Sequence, residues 1–254
     1  MLIPQQKLEP TRPYLYTLAD ELLEAGHDRW NVIIGDDTAG RLPTLFVRKV
    51  LQAAGCDIPT HFVAGSEYYR SIHGELPYAK RFADIATTIE EPLRPLLVTE
   101  SIDTGQGMCF LTQATQESCS VGVEPEVATV AASAVGRHYA TYAGATGERA
   151  LRDVWHAYES PPPAISITQK IAKAALSAIP PALKHTIKQR TSMRVMQPPS
   201  AKNTALSIEP NIHATVPVAR KSADFNGAST SAWYTAMHEV AADYCRTRGL
   251  DAHK

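Results

Sequence analysis

Glu100 and Asp103 stand three residues apart in PLLVTESIDTGQGMCFLTQ, residues 95–113, directly before the glycine-flanked turn Thr104-Gly105-Gln106-Gly107. Carboxylates accept hydrogen bonds from sugar hydroxyls and can hold Mg²⁺ directly or through water. The turn opens a helical pattern over GQGMCFLTQATQ. Successive backbone N–H groups at a helix start form an anion nest, which the helix dipole reinforces. Glycine allows a phosphate to approach that backbone closely. Acids that take ribose hydroxyls, followed by a turn that takes a phosphate, make a ribose 5-phosphate site. Two plainer readings exist for the same residues. One is a solvated strand-to-helix loop with Asp103 as N-cap. The other is the D-T-G of aspartic proteases, which requires a second such motif or a dimer.

A second constellation lies upstream, in VIIGDDTAGRLPTL at residues 32–45. Asp36, Asp37, Thr38 and Arg41 occupy a polar, glycine-bounded loop between an apolar run and an amphipathic helix. They could face a ligand, hold a metal, or simply cap the helix that follows.

These residues need elements to position them. Apolar spacing predicts a helix at 17–26 through Leu18, Leu22 and Leu23, with Gly26 as its stop. Strands are expected at Val32–Ile34, at His61–Val63 and over LRPLLVTES, and further strands in SVGVE and EVATVAASAVGRHYATYAG. Helices are expected through Leu45, Val47, Val50 and Leu51, from Ala79 to Glu90, over GQGMCFLTQATQ, and over GERALRDVWHAYE. Tyr68, Tyr69 and Tyr78 could form either a hood or a packed flap. Strands alternating with helices imply βαβ units in a parallel sheet. In such sheets ligands lie at the carboxyl ends of the strands, beside the topological switch point. Loops 35–40 and 99–107 share that edge if their strands are neighbours.

Composition bounds the function. The 254 residues are 44% hydrophobic and 20% charged, with a formal net charge of −1, which argues against nucleic acid as a partner. Cys56, Cys109, Cys119 and Cys245 form no C-x-x-C pair and read as reduced thiols. MLIPQQKLEPTRPY lacks the apolar core of a signal peptide, and no run approaches the ~18 apolar residues of a membrane span. A cytoplasmic protein is expected.

Three segments are expected: an α/β domain over 1–159, a linker over 160–208, and a C-terminal helical segment over 209–254. From Ser160 to Ile208 there is no Asp or Glu, while Lys170, Lys173, Lys184, Lys188, Arg190, Arg194 and Lys202 are basic. Proline pairs and triplets keep any helix there short. A solvated linker is the simplest account of it, with a membrane-surface helix or a nucleic-acid contact as alternatives. In STSAWYTAMHEVAADYCRTRG, Ser229 or Ser231 could cap a helix whose Trp233, Met237, Val240 and Tyr244 make one stripe docking on the sheet.

The run L-L-V-T-E-S-I-D-T-G-Q-G-M resembles the phosphoribosyl-diphosphate (PRPP) motif of type I phosphoribosyltransferases: an apolar run, acids, D-T-G, a glycine turn and a helix. The resemblance covers roughly residues 15–145. It implies a Rossmann-like parallel sheet with helices on both faces and a hood over the site. By it, Glu100 contacts the ribose hydroxyls and could touch the Mg²⁺ of Mg–PRPP, and Asp103 lies by the base as the catalytic general base. Thr104, Gly105, Gln106, Gly107 and Met108 wrap the 5′-phosphate, and the loop with Asp36, Asp37, Thr38 and Arg41 takes the place of the pyrophosphate loop. The implied activity is transfer of the phosphoribosyl group of PRPP to a nitrogenous base with release of pyrophosphate. Relatives of this type are often homodimers. Thr99 stands where the motif has its first acid, and Gly107 where it has its last Thr. With the acidic loop, these departures motivate a second reading, a PRPP- or nucleotide-binding regulatory module that does no chemistry. A third is a hydrolase or ligase using Asp36 and Asp37 as metal ligands.

Overall fold

The computed structural model describes residues 4–37, 39–64, 73–74, 76–89, 92–118, 124–158, 206, 208–210, 217, 219–221 and 226–250. Residues 1–160 and 201–254 belong to one compact unit. The expected linker lies almost wholly outside the described residues, as do Thr38, Tyr68, Tyr69, Cys119 and most of SVGVE.

Five strands, β1 (Val32–Asp36), β2 (Thr60–Val63), β3 (Pro95–Ile102), β4 (Glu126–Ala132) and β5 (Tyr142–Thr146), form one sheet in the order β2-β1-β3-β4-β5. Every pairing is parallel, as the alternating pattern predicts. The chain leaves β1 toward β2 and then returns past β1 to begin β3. The switch point therefore falls between β1 and β3, which are direct neighbours from Val32↔Pro95 to Gly35↔Val98.

Helices cover both faces. On one side α2 (Arg12–Ala25), α3 (Arg41–Ala53) and α6 (Glu148–Ala157) pack on Ile33, Leu96, Val98, Ala128 and Val130. On the other, α4 (Leu76–Ala86) and α5 (Gln106–Ser118) cover Val32, Ile34, Leu97, Ile102 and Val127. Helix α4 starts three residues before the expected Ala79 and ends four before Glu90. Thr87 and Thr88 return their hydroxyls to the carbonyls of Asp84 and Ile85, competing with continuation of the helix. Tyr78 belongs to the core rather than to a hood: it is fully buried, edge-on to Phe110, and its hydroxyl donates to the Ala64 carbonyl at 2.8 Å.

At the amino edge of the sheet one carboxylate ties β4 to β5 and to the segment that leads into β1. Glu126 accepts from Trp30 Nε1 at 2.8 Å and from the Tyr142 hydroxyl at 2.7 Å, and it pairs with Arg29. The edge strand β5 is blunted by α2, because Glu21 takes the Ala143 N–H at 2.9 Å.

The C-terminal helix, α7 (Gly227–Arg248), starts earlier than the serines suggest. Asn226 is its cap, accepting from Ala228 and Ser229 N–H at 3.1 Å, and Gly249 ends it at φ 66°. Its Trp233, Met237, Val240 and Tyr244 are buried as expected, but they dock on α3 and on α1 (Pro4–Leu8) rather than on the sheet, which α3 already covers. The seam with α2 is polar. Asp243 accepts from the Tyr16 hydroxyl at 2.8 Å and from Arg12 at 3.1 Å, and Tyr244 donates to Asp20 at 2.7 Å.

This seam makes the attachment of α7 pH-dependent. The Tyr16 bond and the nearby Arg246 and Arg12 guanidiniums hold the Asp243 carboxyl below its ordinary value. Its contribution is therefore present above about pH 4 and is lost as pH falls through the folded value. Burial, then the bond to Asp243, pushes the Tyr16 phenol up to about 12. That contribution holds below about pH 10 and is lost as pH rises from there toward 12. The melting temperature of wild type should exceed that of Asp243→Asn between these limits and converge with it at both ends. A constant difference across the whole range would contradict this assignment.

Candidate functional site

The two loops singled out in the sequence flank the switch point. Loop 36–40 leaves β1 and turns into α3; the segment 103–105 leaves β3 and turns into α5. The first loop lies against β3 itself: a Cβ on Gly40 would lie 2.3 Å from the Val98 carbonyl oxygen and 2.7 Å from Asp36 N. Only a glycine lets the first loop lie this close to the neighbouring strand.

Around β3 the turn is held by its neighbour from β4. Ser133 N–H donates to the Ile102 carbonyl at 2.9 Å, and its hydroxyl donates to the Asp103 carbonyl. Ser133 Oγ also accepts from Gly136 N–H at 2.8 Å. The Asp103 backbone is thus pinned, while its side chain is partly exposed and nothing among the described residues engages the carboxylate. Thr104 is exposed, and Gly105 takes φ +77°, the left-handed region. The Gly105 carbonyl accepts from Cys109 N–H at 2.8 Å, starting α5. Gly107 and Met108 follow in its first turn, with Met108 6% exposed; the Gln106 side chain lies outside the described residues. The amides of that turn have no partners within their own helix, which is what an anion nest requires.

Glu100 is placed differently. It shares a face of β3 with Leu96 and Val98 and is only 4% exposed. Burial first, then the Glu100 charge, raises the phenol of the fully buried Tyr158, at the end of α6, far above its usual value. Thr99, on the opposite face, is 2% exposed. Of the two acids in the motif, Asp103 is the one at the carboxyl edge.

The upstream loop is also internally satisfied. Asp37 is 1% exposed. Its Oδ1 accepts from Arg41 Nε at 2.7 Å and pairs with Nη2, and its Oδ2 accepts from Ala219 N–H. Asp36, partly buried, accepts Gly40 N–H on its carbonyl at 2.7 Å. Arg41 lies over the Phe62 ring, 4.9 Å from its centroid. His61 is neutral-leaning: burial, then the Arg81 charge, lowers its pKa.

Tyr139 is a feature the motif does not contain. It lies in the 3-10 turn Gly136–Tyr139, is 40% exposed, and packs on Gly105 so closely that a Cβ there would sit 2.0 Å from its ring. The usable signal was the short V-G-R-H-Y between two strands, too short for the helix a parallel crossover usually carries. Because that crossover is short, a cleft of about 520 Å³ opens beside α5, lined by Thr112, Gln113, Gln116, His138, Tyr139 and Thr141 among others.

Among the described residues no protein-made cage for Mg²⁺ is assembled at this site. Both Asp37 oxygens are engaged, Glu100 is buried under the sheet, and no three His, Cys, Asp or Glu side chains among the described residues converge. No helix among the described residues is long and apolar enough to cross a membrane. No protein-family model, curated protein or solved structure matches this chain.

Proposed function

We propose that the β1/β3 crevice binds PRPP and that the chain transfers its phosphoribosyl group to a nitrogenous base, releasing pyrophosphate. The reading is supported by the two loops that leave the neighbouring strands at the switch point, the second beginning with an unengaged Asp103 and turning at Gly105. The amides from Thr104 to Met108 take the 5′-phosphate. Asp103 accepts ribose hydroxyls and receives the acceptor's proton, with the Ser133 bond holding its backbone still. Tyr139, an exposed ring on the lip of the turn, offers a planar surface for a base. Mg²⁺ arrives as part of the diphosphate substrate, held by the phosphates, and the residues of this chain bind and orient around it. Rate acceleration then comes from positioning and charge stabilisation at C1 of the ribose.

One observation favours the second reading, binding without transfer. Glu100 and Thr99 are both buried, so the ribose meets one carboxylate rather than two. Calorimetry with PRPP and a pyrophosphate-release assay over purine, pyrimidine and nicotinic bases separate the two. Binding with release establishes the transferase, binding without release the sensor, and an absence of binding removes both.

A further inference from the structure

The Asp37 carboxylate, nearly inaccessible, joins two parts of the chain that are 182 residues apart in sequence. One oxygen holds the Arg41 guanidinium at Nε and Nη2, and the Asp37 carbonyl takes Nε as well, at 3.0 Å. The other oxygen accepts the N–H of Ala219, the first residue of β7 (Ala219–Lys221), which pairs with β6 (Ile208–Pro210). The same strap is fastened once more, Ala64 N–H donating to the Pro217 carbonyl at 2.9 Å just past β2. Arg41 is therefore fixed by a carboxylate, a carbonyl and the Phe62 face. Its side chain remains 28% exposed, and among the described residues nothing accepts from Nη1.

We propose that Asp37 is a positioning residue. It aims Arg41 Nη1 at the diphosphate end of the ligand and makes that aim depend on the docking of Pro217 and of β7. This rests on the PRPP reading above and assigns Asp37 a task different from holding metal or meeting phosphate. The physical reason lies in the balance of the pair. An arginine bonded along its Nε edge presents a fixed, charge-bearing N–H instead of a mobile side chain, so less freedom is lost on meeting an anion. Burying a carboxylate this deeply is costly unless donors fill its acceptor sites, as Arg41 and Ala219 do here. Losing the Ala219 N–H draws the carboxylate toward water and takes Arg41 with it. Anion affinity at α3 and docking of the strap are then one equilibrium, and each must respond to the other.

The test uses two ligands that share the crevice but not its ends: metal-free inorganic pyrophosphate, which needs Arg41, and ribose 5-phosphate, which needs only the 103–108 turn. Calorimetry compares wild type with Asp37→Asn and with Ala219→Pro, which removes the strap's N–H without touching Asp37 or Arg41. The expected result is about tenfold weaker pyrophosphate binding in both variants, with ribose 5-phosphate within about twofold of wild type. A merely structural role would weaken both ligands together, and that outcome overturns the assignment. So does unchanged pyrophosphate affinity in both variants, or a loss confined to Asp37→Asn, which removes the strap from the arrangement. Should Asp37→Asn fail to fold, Ala219→Pro alone decides. Wild type that binds ribose 5-phosphate but not pyrophosphate sinks this inference and leaves the phosphoribosyl site standing; binding of neither sinks both.

Discussion

Asp103→Asn should lower turnover by about 10²–10³-fold while leaving ribose 5-phosphate affinity within about threefold of wild type. Asn keeps the shape of Asp and leaves the backbone carbonyl free to accept the Ser133 hydroxyl, so the turn after β3 keeps its geometry. What disappears is a partly exposed carboxylate that no described side chain neutralises, at the carboxyl end of β3. An amide can still hydrogen-bond a sugar hydroxyl but takes no proton and carries no charge to oppose a developing cation. The measurement is steady-state pyrophosphate release with PRPP and an accepted base, beside calorimetry with ribose 5-phosphate. Unchanged turnover would take Asp103 out of the mechanism; a parallel loss of phosphate binding would show that it holds the turn rather than the reaction.

Gly105→Ala should cost at least about tenfold in ribose 5-phosphate affinity and lower the melting temperature by several degrees. Two effects add. An L-residue at φ +77° is disfavoured by about 1–2 kcal/mol. The new methyl also overlaps the Tyr139 ring, 2.0 Å away, at a further cost of about 1–3 kcal/mol. The double variant Gly105→Ala/Tyr139→Ala separates them, because it removes the overlap but not the backbone strain. Stability should recover in part, whereas phosphate affinity, which depends on where the amides of the turn point, should stay low. If Gly105→Ala alone binds ribose 5-phosphate like wild type, the turn is not the phosphate cradle.

Much of this arrangement was legible without coordinates. The runs at 32–34 and 95–98 are apolar because both faces of a parallel strand are covered, and that burial leaves a signal in residue type alone. Gly26 and Gly249 marked helix ends because a left-handed or otherwise strained backbone there admits little else. The position of Glu100 was half legible: counting by twos from Leu96 and Val98 puts it on their face of β3. What that face meets could not be read, because Tyr158 comes 58 residues later and reaches it only through the packing of α6. Asp37 was misleading in a similar way. Next to Asp36 it reads as a charged loop tip, yet Arg41 one helical turn on and Ala219 from the far end of the chain bury it.

Local chemistry, then, was written in the order of residues: strand, acid, glycine turn and helix start are short-range patterns, and backbone sterics and hydrogen bonding enforce them wherever they occur. Which acid faces the crevice, which is clamped and which is sunk beneath the sheet depends on partners contributed by distant segments. Those partners meet only when apolar faces close on one another, and a buried carboxylate takes its role from whatever donors that closure brings within reach.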